Sequence, residues 1–525
     1  MKIVKLTLLS SVVAFNLAAM DLGTYMSGVA NSDPSIIQKK KQFNSVYETL
    51  KISEGDWFLP SVDLEAGISR SRTNYKKPTS STSTYTNRYL NISATENLFN
   101  GYGTVNDIAA KKAALASMAY SYAQTLDEEL LNSSKAYIDV ARNKELLDIE
   151  VDNYQKHKKI MEAVSIRNGS GVGVIGDLQE ITSKTNLAYV NYVTQSKNLK
   201  ASQISARKFY GNPLDINSVQ TPSVGYELNY TPSSAISFAF SHNPALYVQK
   251  YNVIAARYNK KRDEKEFMPK VDLSIAHNYS GGENADTHSG SEYKQLSGGI
   301  SLKWNLFRGF KDVHTRHKNI SIMHQEYQKY EAIKRSLAEE IELSLSNYNS
   351  QKREYEYLTK YVSSASQKLN TITTLFRNGK KSLFEFLASQ TDYNSAKEKL
   401  INTKYDLIYT KLKVLKALGV LSDMVNPSLK SEVGISTNGI YDYRALNHNP
   451  DRLPLPVDSG VPAAVIPSAV AVDNFMSSYA ISNTSSNCDA VVQTTVAPAV
   501  AQDARFENDE QFKKVYDEEF IAPKK

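Results

Sequence analysis

Apolar residues recur along this chain with two different periods. Val62, Leu64, Ala66 and Ile68 alternate with Asp63, Glu65, Gly67 and Ser69, and Leu90, Ile92 and Ala94 alternate with Asn91, Ser93 and Thr95. The same pattern returns at Val271, Leu273 and Ile275, and at Ile300, Leu302, Trp304 and Leu306. A period of two predicts strands with one apolar and one polar face. The Ser/Thr/Asn/Gly-rich stretches 72–86 and 278–292 read as loops joining each strand pair. From Ile320 the spacing changes to alternating threes and fours: Met323, Tyr327, Tyr330, Ile333, Leu337, Ile341, Leu345 and Tyr348, then Tyr355, Leu358, Val362, Ala365, Leu369, Ile372 and Phe376. That is a narrow seam on one long helix over about 312–376, rising roughly 1.5 Å per residue, or about 95 Å. A counterpart covers about 104–167, return helices cover about 178–210 and 383–418, and shorter polar helices cover about 34–56 and 244–266.

The elements come in two sets because the chain is a tandem duplication. NLFNGY at 97–102 matches NLFRGF at 305–310, RNG at 167–169 matches RNG at 377–379, and FLPSVDL at 58–64 matches FMPKVDL at 267–273. The offsets are nearly constant, as expected of a repeat. The reading divides the chain into a leader at 1–19, a first repeat at 20–215, an inter-repeat segment at 216–242, a second repeat at 243–424 and, at 425–525, an equatorial segment followed by a Pro/Ala-rich tail that reads as disordered.

Composition narrows the class. The 525 residues hold one cysteine, Cys488, so no disulfide can form within the chain. The formal net charge is +7, but Lys, Arg, Asp and Glu are interspersed, which argues against nucleic acid as a partner. Lys2 and Lys5, an apolar run from Leu6 to Phe15 and small residues at Ala18 and Ala19 read as a secretory signal peptide. No later apolar run is long enough for a membrane-spanning helix. Strands of a membrane β-barrel carry a weaker signal and stay open as a reading.

Candidate chemistry is sparse. Gly171, Gly173 and Gly176 spell G-x-G-x-x-G, but the residues before them are helical in pattern and no acid lies between Ile181 and Leu214. A dinucleotide loop needs a preceding strand and an acid about 20 residues on. The second repeat lacks the glycine pattern, so a helix–turn–helix hairpin is the better reading, with Gly169 and Gly379 near helix C-caps at φ > 0. His314, His317 and His324 lie on one long helix without further ligands, so no metal or other cofactor is expected. No nucleophile–base motif is visible, so the chain does not read as an enzyme.

Four amphipathic strands cannot close a membrane barrel, which takes about eight or more. If these strands lie in lipid, several chains must share one barrel. The duplication, the NLF-x-G-aromatic strand–helix junctions at Gly101 and Gly309, the Pro-x-Val-Asp-Leu strand starts and the hairpin tips together resemble the outer-membrane efflux protein (TolC) family, over about residues 20–425. The resemblance implies a membrane β-barrel continued by an α-helical barrel, closed only in a homotrimer. It implies a passive exit duct in the outer membrane of a Gram-negative cell, for type I protein secretion, small-molecule efflux or both, with the helical part and tail in the periplasm. Its partners would be outer-membrane lipid, a periplasmic adaptor and an inner-membrane ABC transporter or proton-driven efflux pump. The lack of a lipid-anchor cysteine after the leader leans towards the secretion branch.

By the same resemblance the periplasmic entrance lies at the hairpin tips. Phe376, Gly379, Lys381 and Glu385 take the places of the family's tip aromatic, glycine, arginine and first acid, while Ala388 stands where a second acid is expected. Phe376 has no hydroxyl and Lys381 lacks the bidentate fork of arginine. Three copies of Glu385 would form a carboxylate ring that favours cations. Asp177 is the corresponding acid of the first repeat. Both are also explained as first-turn helix acids favoured by the dipole. A rival class is a structural coiled-coil envelope protein or adhesin, which would use the long helices but not four lipid-suited strands.

Overall fold

The structure, a computed structural model, describes residues 20–76, 81–171, 173–436, 439–443 and 446. The expected signal peptide, Cys488 and most of the expected tail lie outside the described residues. In chain order the elements are α1 (Leu22–Ser32), α2 (Pro34–Phe58), β1 (Ser61–Tyr75), β2 (Ser81–Asn100), α3 (Gly103–Gly169), α4 (Ile175–Tyr210), α5 (Pro232–His242), α6 (Pro244–Asp263), a 3-10 turn (Glu264–Phe267), β3 (Lys270–Asn284), β4 (Ser289–Lys303), α7 (Lys311–Arg377), α8 (Leu383–Leu418), α9 (Leu421–Val425) and α10 (Ser428–Ser431). None of the described helices is long and apolar enough to cross a membrane.

Two compact units emerge. The first comprises the chain up to Phe43 with Ala119–Leu246 and Ala332–Leu446. Among the described residues its regular elements are all helices, apart from isolated bridges. Its core is the buried seam of α3, α4, α7 and α8, for example Leu126, Leu130, Ile138, Leu337, Ile341, Leu345, Leu415 and Leu418. No apolar position expected on the α7 seam is exposed, so the alternating spacing does mark the packed stripe. Buried tyrosines bond to backbone: Tyr25 Oη donates to Ala206 O at 2.9 Å and Tyr137 Oη to Met20 O at 2.6 Å.

The second unit, Asn44–Met118 with Tyr247–Glu331, carries the sheet. All four strands are antiparallel in the order β1-β2-β3-β4. The register sets Leu64 beside Ile92, Ile92 beside His277 and His277 beside Leu296. One face therefore carries an apolar band across all four strands, interrupted at His277, and it is bare: Leu64 is 68 % and Leu302 67 % exposed. Beyond Ile68 the same face turns to Arg70, Arg72 and Arg88. The apolar band covers Val62–Ile68 on β1, about 24 Å at roughly 3.4 Å per residue. Among the described residues β1 and β4 each have a strand on one side only.

Three expectations are corrected. Stretches 72–86 and 278–292 are mostly strand; among the described residues only Lys76 and 285–288 lie outside the strands there. β4 ends at Lys303, short of Trp304 and Leu306, whereas its counterpart β2 continues to Asn100. β2 is held on both sides, with a bulge at Asn97/Phe99 where Asn97 Nδ2 donates to Asp272 Oδ1 at 2.6 Å. The helices α1 and α5 fall where no helix was assigned.

Candidate functional site

The second hairpin tip is built from caps. α7 ends at Arg377, and Gly379 takes φ = 71°. Lys380 N donates to Leu375 O at 2.8 Å and Gly379 N to Phe376 O at 3.0 Å, the paired bonds of a Schellman motif with glycine at C′. α8 opens with a capping box: Ser382 Oγ accepts from Glu385 N, and Glu385 Oε2 accepts from Ser382 N, both at 3.2 Å. Lys381 Nζ meets Glu385 Oε1 at 2.6 Å. The bond from Lys381, with the backbone bond from Ser382, holds the Glu385 carboxyl below its ordinary value. The structure thus brings Lys381 and Glu385 together and commits both carboxylate oxygens.

Phe376 has a packing role. Its ring stacks on Phe386 at 5.1 Å and 18°. Both belong to an apolar cluster with Val164, Ile181, Leu369, Leu383 and Leu387. Ala388 is exposed. One turn further, Asp392 accepts from Tyr361 Oη at 2.5 Å and from Lys368 Nζ at 3.1 Å. Sequence reasoning passed over this acid because it stopped at position 388; its i+4 spacing from Ala388 is the signal that would have found it.

The first tip differs. Gly169 is the last residue of α3 and its φ is not positive; the left-handed position falls to Gly171, at φ = 76°. The C-cap expectation for Gly169 is thereby corrected: the helix runs on until a glycine can take the turn. Gly173 is needed for a close approach, since a Cβ there would lie 2.7 Å from the Asn168 backbone. The G-x-G-x-x-G run connects two helices, so no strand feeds it. Asp177 is exposed in the first turn of α4, whose N-cap Val174 offers no side-chain cap. Its carboxylate makes no hydrogen bond or ion pair among the described residues, and it shares no partner with Glu385.

At the strand–helix junctions Gly101 and Gly309 have φ of 63° and 59°, and the aromatics after them, Tyr102 and Phe310, are also left-handed at 63° and 60°. A non-glycine residue there costs about 1 kcal/mol or more. An edge-on ring contact offsets it in each copy: Phe99 with Tyr102 and Phe307 with Phe310, both at 5.4 Å, worth about 0.5–1.5 kcal/mol. That explains NLF-x-G-aromatic as one unit. His314 and His317 lie edge to face at 6.4 Å, and no metal-holding cluster occurs among the described residues.

The outer membrane efflux protein family matches residues 33–212 and 235–420. The outer membrane protein TolC of Vibrio cholerae is 24 % identical over 433 residues, covering 81 % of this chain and 96 % of that protein. The outer membrane efflux protein BepC of Brucella suis is 19 % identical over 365 residues, covering 69 % and 77 %. Among solved structures, the Campylobacter jejuni CmeC outer membrane channel superposes with a TM-score of 0.66 at 16 % identity, over 76 % of this chain and 86 % of that one. The open state of the Neisseria gonorrhoeae MtrE outer membrane channel gives 0.64 at 12 % identity, over 78 % and 93 %.

Proposed function

The chain belongs to the outer membrane efflux protein family, and from that membership we propose a homotrimeric outer-membrane duct that conducts solutes passively. Membership places it among efflux proteins of the outer membrane, not among enzymes. The observation that carries the duct is the sheet. Four strands, one face bare and apolar, and two unpaired edges make a barrel fragment and not a finished domain. Three copies give twelve strands, enough to close a barrel around water. A coiled-coil scaffold or adhesin has no use for that apolar face.

In this reading the helices extend the duct into the periplasm and their tips meet a periplasmic adaptor. An inner-membrane ABC transporter would make the route one of type I protein secretion, and a proton-driven pump one of small-molecule efflux. Residues 1–19 are the signal peptide, and 425–525 an equatorial segment, whose described part packs in the helical unit, followed by a periplasmic tail. Glu385, Lys381 and Phe376, with Asp177, belong to the entrance. Phe376 anchors the tip, and the Lys381–Glu385 pair sets how much negative charge the entrance presents.

The test is single-channel conductance of the detergent-extracted protein in a planar bilayer. Discrete, reproducible steps are expected. A protein that inserts into no bilayer and stays a soluble rod would sink the duct. Co-purification of the inner-membrane partner then separates secretion from efflux.

A further inference from the structure

In the strand-bearing unit the first turns of α3 and α7 are repeat equivalents with different surroundings. No residue from Gly103 to Met118 is exposed, because α2 lies along one side, with Ser53 Oγ donating to Asp107 Oδ2 at 2.9 Å, and α6 along another. Arg262 Nη1 donates to Asp107 Oδ1 at 3.1 Å and Ser117 Oγ to Asn252 Oδ1 at 2.7 Å. The Lys265 side chain passes so near Gly103 that a Cβ there would fall 2.4 Å from its Cδ. These contacts share one antiparallel alignment. On α7 the equivalent stretch is covered on one side only, where Asn319 Nδ2 donates to Asp263 Oδ2 at 2.9 Å; on the other, Lys311, His314, Lys318 and Ile322 form an exposed stripe. On α2, the equivalent of α6, Glu48, Ile52 and Asp56 form another at i, i+4 and i+8, with Ile52 67 % exposed. Their counterparts 209 residues on, Arg257, Lys261 and Lys265, are half-buried.

The repeat offsets carry the in-chain contact over to the open faces. Lys265 shifts back by 209 to Asp56, and Gly103 shifts forward by 208 to Lys311. The same alignment brings Glu48 level with the buried Asn319, next to the exposed Lys318. None of Glu48, Asp56, Lys311 and Lys318 makes an ion pair or side-chain hydrogen bond among the described residues. The wider charge pattern agrees. Residues 257–268 and 305–318 hold nine Lys or Arg against four Asp or Glu, whereas their equivalents 48–59 and 97–110 hold one against four. A basic face and an acidic face on one chain favour head-to-tail contact and oppose a face meeting its own copy.

We propose that the α7 stripe of one copy docks on the α2 stripe of a second copy of this chain, with Asp56–Lys311 and Glu48–Lys318 as intermolecular ion pairs. The interface rests on the oligomeric reading above and adds to it the residues that join the copies. With Cys488→Ser as background, Asp56→Cys combined with Lys311→Cys should yield a ladder of covalently linked chains ending at three with a short dimaleimide, and neither single variant should. Native mass spectrometry in detergent gives a second readout. Glu48→Lys with Asp56→Lys, or Lys311→Glu with Lys318→Glu, should raise the monomer fraction about tenfold, and the four together should restore assembly. An intact wild-type oligomer without cross-links, and with silent or unrescued reversals, overturns this interface and leaves the oligomer standing. A wild type found only as monomer overturns the oligomeric reading itself.

Discussion

Gly101 and Gly309 occupy the same turn in the two repeats, and alanine should cost very different amounts at each. Both have φ near +60°, where an L side chain costs about 1–2 kcal/mol. At Gly309 nothing lies within 4 Å of an added Cβ, so strain is the whole cost. At Gly101 the Cβ would meet Met268 Cβ at 2.6 Å, and Lys265 Cα and O at 3.1 Å. These atoms are backbone or next to it and cannot swing aside, so overpacking adds about 1–3 kcal/mol. Gly309→Ala should therefore cost about 1 kcal/mol and Gly101→Ala about 3 kcal/mol. Hydrogen exchange followed by mass spectrometry reads this locally. Protection in peptides over 103–112 should fall about a hundredfold for Gly101→Ala, and protection over 311–320 about fivefold for Gly309→Ala, with tenfold per 1.4 kcal/mol. Equal losses, or a greater loss for Gly309→Ala, would refute the claim that the 3-10 turn before β3 is what makes Gly101 indispensable.

Three further outcomes follow from the caps and the buried acid. Gly169→Ala should stabilise the first tip by about 0.5–1 kcal/mol, since Gly169 is helical with free space around it, whereas Gly379→Ala should destabilise the second by about 1 kcal/mol because its φ is 71°; exchange at each tip distinguishes them. Because Lys381 and the cap lower the Glu385 carboxyl from its ordinary 4.5, its support of the tip should be fully present above that value and vanish as pH falls through the lower folded one; tip exchange in Glu385→Gln should lack this acid dependence. Asp127 is fully buried, its carboxyl is pushed up by burial, and its Oδ1 accepts from Ser422 N at 2.9 Å. Wild-type stability should fall as pH rises from the ordinary carboxylate range through that raised value, Asp127→Asn should flatten the dependence, and Asp127→Leu should cost about 1–3 kcal/mol by orphaning the Ser422 N–H, all measurable by chemical denaturation across pH.

The long helices were legible to within three residues at each end, because their seams keep one period for many turns and glycines stop them. The strand pairs were legible in place but not in length. Gly281 and Gly282 look like loop punctuation, yet both lie inside β3. The hydroxyl end of Tyr85 covers Gly282, where a Cβ would sit 2.0 Å from its Oη, and Tyr89 covers Gly67 in the same way at 2.5 Å. A cross-strand tyrosine supplies the surface that a strand glycine lacks; that pairing depends on register, which a single strand does not reveal. For α5 the signal was present and missed: Thr231 and Ser234 form a capping box, with Pro232 at the first turn. At the tip, the residues of the Lys381–Glu385 pair were legible, but the cap that occupies Glu385 was not weighed against a free carboxylate ring. That cap depends on Ser382, a residue no charge pattern singles out.

The in-chain strand pairing tests whether repeat offsets may be carried across copies at all. β2 meets β3 with Ile92 beside His277. Shifted by 208 and 209, this pair becomes Ile300 of one copy beside Ile68 of the next, and Leu90 beside Tyr279 becomes Gly298 beside Arg70. The apolar faces of β1 and β4 both fall on even positions, whereas on β3 they fall on odd ones. An equal offset for both halves of the pair would set Ile300 beside Ser69 and turn the apolar band inside out. In the proposed ring, the one-residue difference between the offsets would keep apolar against apolar at the copy-to-copy seam. A duplication that only stacked helices would have no reason to preserve that parity in its strands. A ring in which the last strand of one copy must pair with the first strand of the next would.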